Sequence, residues 1–179
     1  MTEHHDELVL RALEADDLPT IALFLAQPYV ARWWLERETI DEVIAKYKRR
    51  VEGQEPTTHM LAVVCSDRMI GWCQWYLWSD YPEHSAEIGA QPEDAGIDYA
   101  IGVPSLLGRG IGSRLVRALV AEVRRAHPSA CVLVDPDSRN AASRRALERC
   151  GFRLADERMG REGKVVAVYR LSVWPTTGD

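Results

Sequence analysis

Six residues in the second half of the chain, Leu107-Gly108-Arg109-Gly110-Ile111-Gly112, constrain the fold more than any other segment. They stand between a short apolar run at 96–102 and an amphipathic stretch at 110–126, which predicts a strand, a tight turn and a helix. Glycines leave backbone N–H groups accessible, and the start of a helix carries partial positive charge, so a phosphate group suits this turn. A plain tight turn would give the same pattern. No Lys-Ser/Thr pair follows as in a P-loop, and the first strand of the chain does not lead into the motif as in a Rossmann fingerprint.

Periodicity and end signals predict the order of the remaining elements. Thr39 and Glu42 form a capping-box pattern, whereas the aromatic segment 29–34 has no clear period. The predicted strands cover 8–13, 59–64, 69–78, 96–102, 130–134, 152–159 and 164–173, and the predicted helices cover 16–26, 40–51, 110–126 and 140–149. Residues 79–95 are expected to form a long, acid-rich loop. The sequence therefore predicts a single α/β (α+β) domain over residues 1–179, with a mixed sheet and helices on both faces.

Composition and charge narrow the class of protein. Apolar residues make up 46% of the chain, enough for a packed core, and the net charge of −5 argues against a nucleic-acid partner. No run approaches the roughly 18 apolar residues of a membrane span, and residues 1–7 are polar and acidic, so a cytoplasmic protein without membrane contact is expected. The four cysteines form no CxxC pair, so no metal site is expected.

Two motifs in the second half of the chain resemble those of the GNAT superfamily of N-acetyltransferases. The superfamily loop Arg/Gln-x-x-Gly-x-Gly/Ala is matched by Gly110 and Gly112, and its pattern Asn-x-x-Ala-x-x-x-Tyr-x-x-x-Gly-Phe by Asn140, Gly151 and Phe152. The resemblance implies a mostly antiparallel sheet of about seven strands, splayed between strands four and five, with acetyl-coenzyme A as co-substrate in the gap and no metal. The implied cofactor-binding residues are Ile101, Leu106, Leu107, Gly108, Arg109, Gly110, Ile111, Gly112, Ser113, Asn140 and Ser143.

The chain departs from the superfamily pattern at two positions. Leu107 stands where Arg or Gln is usual, which predicts a modest loss of cofactor affinity because the loop acts through backbone amides. Leu147 stands where the superfamily has the tyrosine that protonates the departing thiolate, and leucine cannot donate a proton. Water, the ammonium group of the substrate, Tyr99 or Cys150 could serve instead, and the sequence does not choose among them.

Within the superfamily the chain is most similar to aminoglycoside 6'-N-acetyltransferases. The matching stretches include Trp33-Trp34, Ile70-Gly71-x-x-Gln74-x-Tyr76, Gly96-Ile97-Asp98 and Asp135-Pro136. The resemblance implies that Asp98 anchors and deprotonates the attacking ammonium group, helped by partial burial. The implied substrate-binding residues are Trp33, Trp34, Gln74, Tyr76, Glu83, Asp98, Asp135 and Glu162. The two tryptophans could instead be core residues, and the acid-rich loop could be a solvated surface.

Two other functions fit the same residues. An acetyltransferase acting on a polyamine or on a lysine-derived siderophore precursor would also use acidic side chains. A relative that binds acyl-coenzyme A or an aminoglycoside without turnover would be compatible with Leu107 and Leu147. The acceptor is expected to be a small cationic amine in each case, and the sequence allows a monomer or a dimer.

Overall fold

A single sheet of seven strands organises the protein. The computed structural model describes residues 7–35, 38–55, 57–160 and 163–172. Its strands are β1 (Leu8–Ala12), β2 (His59–Cys65), β3 (Arg68–Leu77), β4 (Ala95–Ile101), β5 (Val132–Val134), β6 (Arg153–Met159) and β7 (Val165–Leu171). The order across the sheet is β1-β2-β3-β4-β5-β7-β6, and every neighbouring pair is antiparallel except β4 and β5. The prediction of a mixed, mostly antiparallel sheet is confirmed.

The parallel pair in the middle of the sheet separates after two residues. β4 pairs with β3 along its whole length, from Ala95 opposite Leu77 to Ile101 opposite Gly71. It pairs with β5 only at Ala95 and Gly96. β5 is three residues long and is followed after one residue by Pro136, which has no N–H to continue a ladder. The predicted splay between strands four and five is therefore present, and the edge of β4 that faces the gap is open beyond Gly96.

Helices cover both faces of the sheet, as predicted. Six α-helices occur within the described residues, namely α1 (Leu18–Leu25), α2 (Pro28–Trp34), α3 (Ile40–Val51), α4 (Pro82–Ile88), α5 (Ile111–Ala126) and α6 (Ala141–Arg149). One face packs on α5 and α6, where Leu115, Leu119 and Leu147 are fully buried. The opposite face packs on α1 to α3 around the fully buried Trp72. The capping box at the start of α3 is confirmed, because Thr39 N donates to Glu42 Oε2 at 2.7 Å and Glu42 N donates to Thr39 Oγ1 at 3.3 Å.

Two segments for which the sequence predicts no helix are helical. The aromatic segment forms most of α2, which begins at Pro28 and is too short at seven residues to show a helical period. The acid-rich segment is not a loop throughout, because it contains α4, which begins at Pro82, ends at Ile88 and is followed by Gly89 with a φ of 72°. Proline at the first helical position and glycine just after the last are a helix signal, and the acidic composition obscured it. The buried Ile88 anchors α4 to the sheet.

Candidate active site

Two clefts meet at the gap between β4 and β5. The first, termed here the carboxylate cleft, is about 420 Å³ in volume and is lined by four acidic residues, Glu87, Asp98, Asp135 and Asp137. The second, termed the glycine groove, is about 360 Å³ and runs along Leu106, Leu107, Gly108, Gly110 and Gly112. Five residues line both: Trp33, Trp34, Tyr99, Asn140 and Ser143. A molecule in the groove therefore lies next to a molecule in the cleft.

Asp98 is held in place by a chain of hydrogen bonds that starts on α3. The residue lies half-buried in β4, directly opposite Gln74 of β3, and Gln74 Nε2 donates to Asp98 Oδ2 at 2.7 Å. Arg50 Nη1 in turn donates to Gln74 Oε1 at 3.0 Å, which fixes the orientation of the amide. Arg50 is itself paired with Glu55 at 3.4 Å. The carboxylate is thus oriented before any substrate arrives.

The electrostatic surroundings of Asp98 favour proton uptake. Burial raises the pKa of the Asp98 carboxyl above its ordinary value, and the nearby carboxylate of Asp135 raises it further. The hydrogen bond from Gln74 and the charges of Arg50 and His84 act in the opposite direction without cancelling the increase. A carboxylate with a raised pKa is a better proton acceptor from an ammonium group than a free aspartate.

A histidine that sequence reasoning did not select faces the same cleft. His84 Nε2 lies 2.7 Å from Asp135 Oδ2, and its ring meets the edge of Trp78 at 5.0 Å between ring centroids. His84 comes from α4, so predicting a loop over 79–95 hid its position. A helix between Pro82 and Gly89 would have placed His84 and Ile88 four residues apart on one face, which was the available signal.

The glycine loop has the geometry that a phosphate group requires. Gly108 and Gly110 have φ angles of 74° and 79°, which lie in the left-handed region. Gly110 is the residue before the first turn of α5, whose leading N–H groups have no acceptor within the helix. The open edge of β4 beyond Gly96 offers further backbone groups beside the groove. These features fit the pyrophosphate and the amide-containing arm of coenzyme A.

Most of the predicted cofactor residues border the groove, and two do not. Arg109 is exposed and is not among the described residues that line the groove. The side chain of Ile111 is buried in the core beneath α5, because the helix turns this position inward. Only the backbone of Ile111 can face a ligand. The predicted residues that do line the groove are Ile101, Leu106, Leu107, Gly108, Gly110, Gly112, Ser113, Asn140 and Ser143.

Replacing Gly110 with alanine should weaken the binding of acetyl-coenzyme A about five- to thirtyfold, because the free loop relaxes away from positive φ and returning an L-residue there costs roughly 1–2 kcal/mol. The added Cβ meets nothing within 4 Å, so the backbone conformation is the source of the effect. Isothermal titration with coenzyme A measures it. Gly53→Ala is the matched control. Gly53 has a φ of 74°, a Cβ added there also meets nothing within 4 Å, and the residue lies just after α3. Equal affinities for the two variants would contradict this role of the loop.

The predicted substrate residues occupy three different places. Trp33, Trp34, Asp98 and Asp135 line the carboxylate cleft. Gln74 and Tyr76 are buried and line a smaller cavity behind Asp98, with Arg50. Glu83 is exposed on α4 and is not among the described residues lining either cleft. His84, next to it in the chain, and Glu87, one turn further along α4, do line the carboxylate cleft. Glu162 lies outside the described residues.

Neither a metal cluster nor a membrane span is found in the parts of the chain that the structure describes. Within residues 7–35, 38–55, 57–160 and 163–172, no three His, Cys, Asp or Glu side chains are grouped so as to hold a metal ion. The helices of these same segments are all too short or too polar to cross a bilayer.

The sheet that splays between β4 and β5 and the glycine loop at the start of α5 are the two features that the resemblance to the GNAT superfamily implies. Comparison with known proteins agrees. The family model for the acetyltransferase (GNAT) domain matches residues 14–159. The chain therefore belongs to the GNAT acetyltransferase family, and the predicted family is confirmed.

Individual relatives include two kinds of N-acyltransferase. Aminoglycoside N(6')-acetyltransferase type 1 of Klebsiella pneumoniae is 29% identical over 155 residues, covering 85% of this chain and 77% of the relative. A lysine N-acyltransferase of Mycolicibacterium paratuberculosis is 29% identical over 170 residues, covering 94% and 74%. The crystal structure of aminoglycoside acetyltransferase AAC(6')-Ib with coenzyme A and kanamycin superposes with a TM-score of 0.73 at 26% identity, covering 91% of this chain and 94% of that one.

Proposed function

We propose that the protein transfers the acetyl group of acetyl-coenzyme A to an amine of an aminoglycoside antibiotic, with the 6'-amino group as the favoured acceptor, and so confers resistance. The observation that carries the proposal is the junction of the glycine groove with a cleft lined by Glu87, Asp98, Asp135 and Asp137. Several carboxylates around one cleft suit a ligand with several ammonium groups. The similarity to aminoglycoside 6'-acetyltransferases supports the same substrate class.

The residues around the junction support direct attack within a ternary complex. Asp98 binds the ammonium group of the acceptor and takes a proton from it as the nitrogen attacks. Gln74 and Arg50 keep the carboxylate oriented towards the cleft. The backbone amide near Ile101, on the open edge of β4, is proposed to donate to the thioester oxygen and to stabilise the negative charge that develops there.

The raised pKa of Asp98 should appear in the pH dependence of kcat/KM. The carboxylate is the active form, so activity is lost as the pH falls through the raised pKa, above the ordinary value of about 3.9. Removing the hydrogen bond that lowers this pKa, in Gln74→Leu, should move the acid limb to higher pH. Rates measured from pH 4 to 8 test both statements. An acid limb that stays in place in Gln74→Leu would show that another group controls it.

Salt should weaken the binding of a polycationic acceptor. Ion pairs at a partly open cleft are screened once the Debye length falls from about 10 Å at 0.1 M towards about 3 Å at 1 M salt. We expect KM for kanamycin to rise severalfold between these concentrations. A monoamine acceptor is the control, and its KM should change less. Parallel responses of the two amines would mean that the extra ammonium groups are not bound by the carboxylates.

A lysine-type amine is the second candidate, favoured by cations in the same cleft. Arg158 and Lys164 also line the carboxylate cleft. Arg158 Nη1 donates to the carbonyl oxygen of Glu87 at 2.9 Å, which holds the guanidinium at the wall. The carboxylate of an amino acid would find a cationic partner there, and a lysine N-acyltransferase is among the relatives.

An acceptor screen separates the candidates. Thiol release from acetyl-coenzyme A is followed with kanamycin, neamine, spermidine and lysine in parallel. Fast turnover with the two drugs alone establishes the proposed function. Turnover with lysine or spermidine alone replaces it with the corresponding amine acetyltransferase, and binding of coenzyme A without turnover of any amine favours a non-catalytic relative.

A further inference from the structure

The proposed function requires a proton for the departing thiolate. The position on α6 where the superfamily has its proton-donating tyrosine does not line either cleft. Leu147 is fully buried in the core between α6 and the sheet. Cys150 is also buried, and its Sγ donates to the carbonyl oxygen of Ser113 at 3.2 Å. Neither residue is among those that line the carboxylate cleft.

A phenol approaches the junction of the two clefts from the sheet. Tyr99 follows Asp98 on β4, and since side chains alternate along a strand, the two point to opposite faces. The Tyr99 hydroxyl lies 2.8 Å from Ser143 Oγ on α6, and both residues line the carboxylate cleft and the glycine groove. Ser143 precedes Leu147 by four residues, which places it one turn away on the same face of α6.

We propose that Tyr99, positioned by Ser143, is the proton donor to the departing thiolate, a role that rests on the acetyl transfer proposed above. The hydroxyl reaches the cofactor gap from β4, one helical turn from the position where the superfamily tyrosine would stand. Tyr99 thus acts on one face of β4 while Asp98 acts on the other. The open edge of β4, where the thioester is proposed to bind, lies between them.

The transfer balances with these two side chains. Asp98 takes one proton from the substrate ammonium, the nitrogen forms a bond to the acetyl carbon, and the carbon–sulfur bond breaks. The sulfur takes the proton of the Tyr99 hydroxyl, and the phenolate oxygen recovers a proton from the nitrogen of the new amide through the shared cleft. Asp98 releases its proton to solvent. The products are the N-acetylated amine, the thiol and one proton.

A proton donor must carry its proton when the reaction begins, and the Tyr99 hydroxyl meets this condition. Burial raises the pKa of Tyr99 above its ordinary value, so the hydroxyl stays protonated across the physiological pH range. It therefore donates a hydrogen bond to a sulfur that gains negative charge, and its proton leaves only as another replaces it. The contact with Ser143 keeps the oxygen at the gap before the cofactor binds.

The first test compares Tyr99→Phe with a matched tyrosine. We expect Tyr99→Phe to lower kcat by roughly 10²-fold, the lower end for general acids, with little change in KM for acetyl-coenzyme A. Ser143→Ala keeps the phenol and should lose less than tenfold. The control is Tyr169→Phe, which removes a hydroxyl that donates to Glu148 at 2.6 Å. Tyr169 is not among the residues lining either cleft, so this variant should keep the wild-type kcat. An unchanged kcat in Tyr99→Phe would overturn the proposal.

The second test needs no acceptor. Bound coenzyme A is titrated through the ultraviolet absorbance of its thiolate, in the wild-type protein and in Tyr99→Phe. A hydroxyl that donates to the sulfur stabilises the thiolate, so the thiol pKa should be at least one unit higher in Tyr99→Phe, a tenfold effect. Equal thiol pKa values would overturn the proposal, even if the acceptor screen identified an aminoglycoside. A shifted thiol pKa with no turnover of any amine would instead support the role of Tyr99 and refute the proposed function.

Discussion

Asp98→Asn should fold normally and should lose at least about 10²-fold in kcat, the lower end of the contribution of a general base. In the wild-type protein Gln74 Nε2 donates to Asp98 Oδ2 at 2.7 Å. Asparagine fills the same space, and its side-chain oxygen can accept the same hydrogen bond. It cannot take a proton, and it lacks the charge that anchors an ammonium group. The rate of thiol release with saturating acetyl-coenzyme A measures the loss, and an unchanged thermal midpoint shows that the fold is intact.

The matched control for this substitution is Asp17→Asn. Asp17 is also a paired aspartate, bonded to Arg11 at 2.7 Å, and it lies ahead of α1, outside both clefts. We expect its kcat to equal that of the wild type. If Asp98→Asn also kept its rate, then His84, which is bonded to Asp135 in the same cleft, would become the candidate base.

Trp72→Ala should destabilise the protein by about 3–5 kcal/mol, the range for removing a large aromatic side chain from a core. The Trp72 ring is fully buried and contacts Phe24, Trp34 and Tyr47 at centroid distances of 6.3, 4.9 and 6.5 Å. It therefore joins α1, α2 and α3 to the sheet. For a domain of this size each kcal/mol lowers the thermal midpoint by about 2–4 °C, so the midpoint should fall by about 6–20 °C. Thermal and denaturant unfolding measure the change.

Trp33→Ala is the control for Trp72→Ala, because Trp33 lines both clefts at their junction and is only partly buried. We expect a small change in stability and a larger change in KM for the acceptor. If Trp72→Ala cost less than 1 kcal/mol, the three helices would be held to the sheet mainly by other contacts. Since Trp34 packs against Trp72, the core substitution should also raise KM for the acceptor.

The long, strongly patterned elements could be predicted from the sequence. The period over 110–126 identified α5, and a single capping box located the start of α3 at Ile40. The short helices α2 and α4 were missed because seven residues complete fewer than two turns and leave little period to detect. The glycine loop was predictable because positive φ at Gly108 and Gly110 restricts the choice of residue.

The site could be predicted only in part, because residues that lie far apart in the sequence come together only in the folded chain. Asp98 was selected through a resemblance, but its partner Arg50 acts through Gln74 from a helix 48 residues earlier in the sequence. Glu83 was selected through the same resemblance, by alignment on Gly96-Ile97-Asp98, and an alignment does not show the direction in which a helical side chain points. The structure instead brings His84 and Glu87 to the cleft. Likewise, only the folded chain shows that the Tyr99 hydroxyl reaches Ser143.

The five residues shared by the two clefts would couple the binding of the two proposed ligands. Trp33, Trp34, Tyr99, Asn140 and Ser143 form part of the wall for whichever molecule arrives first. A ligand that orders these side chains leaves less ordering for the second one, which then binds more tightly. Because such coupling is reciprocal, the proposed acceptor would strengthen the binding of the acetyl donor by the same factor as the donor strengthens that of the acceptor. For the reaction proposed above, a saturating concentration of the acetyl donor would therefore lower the Kd for the acceptor by that factor.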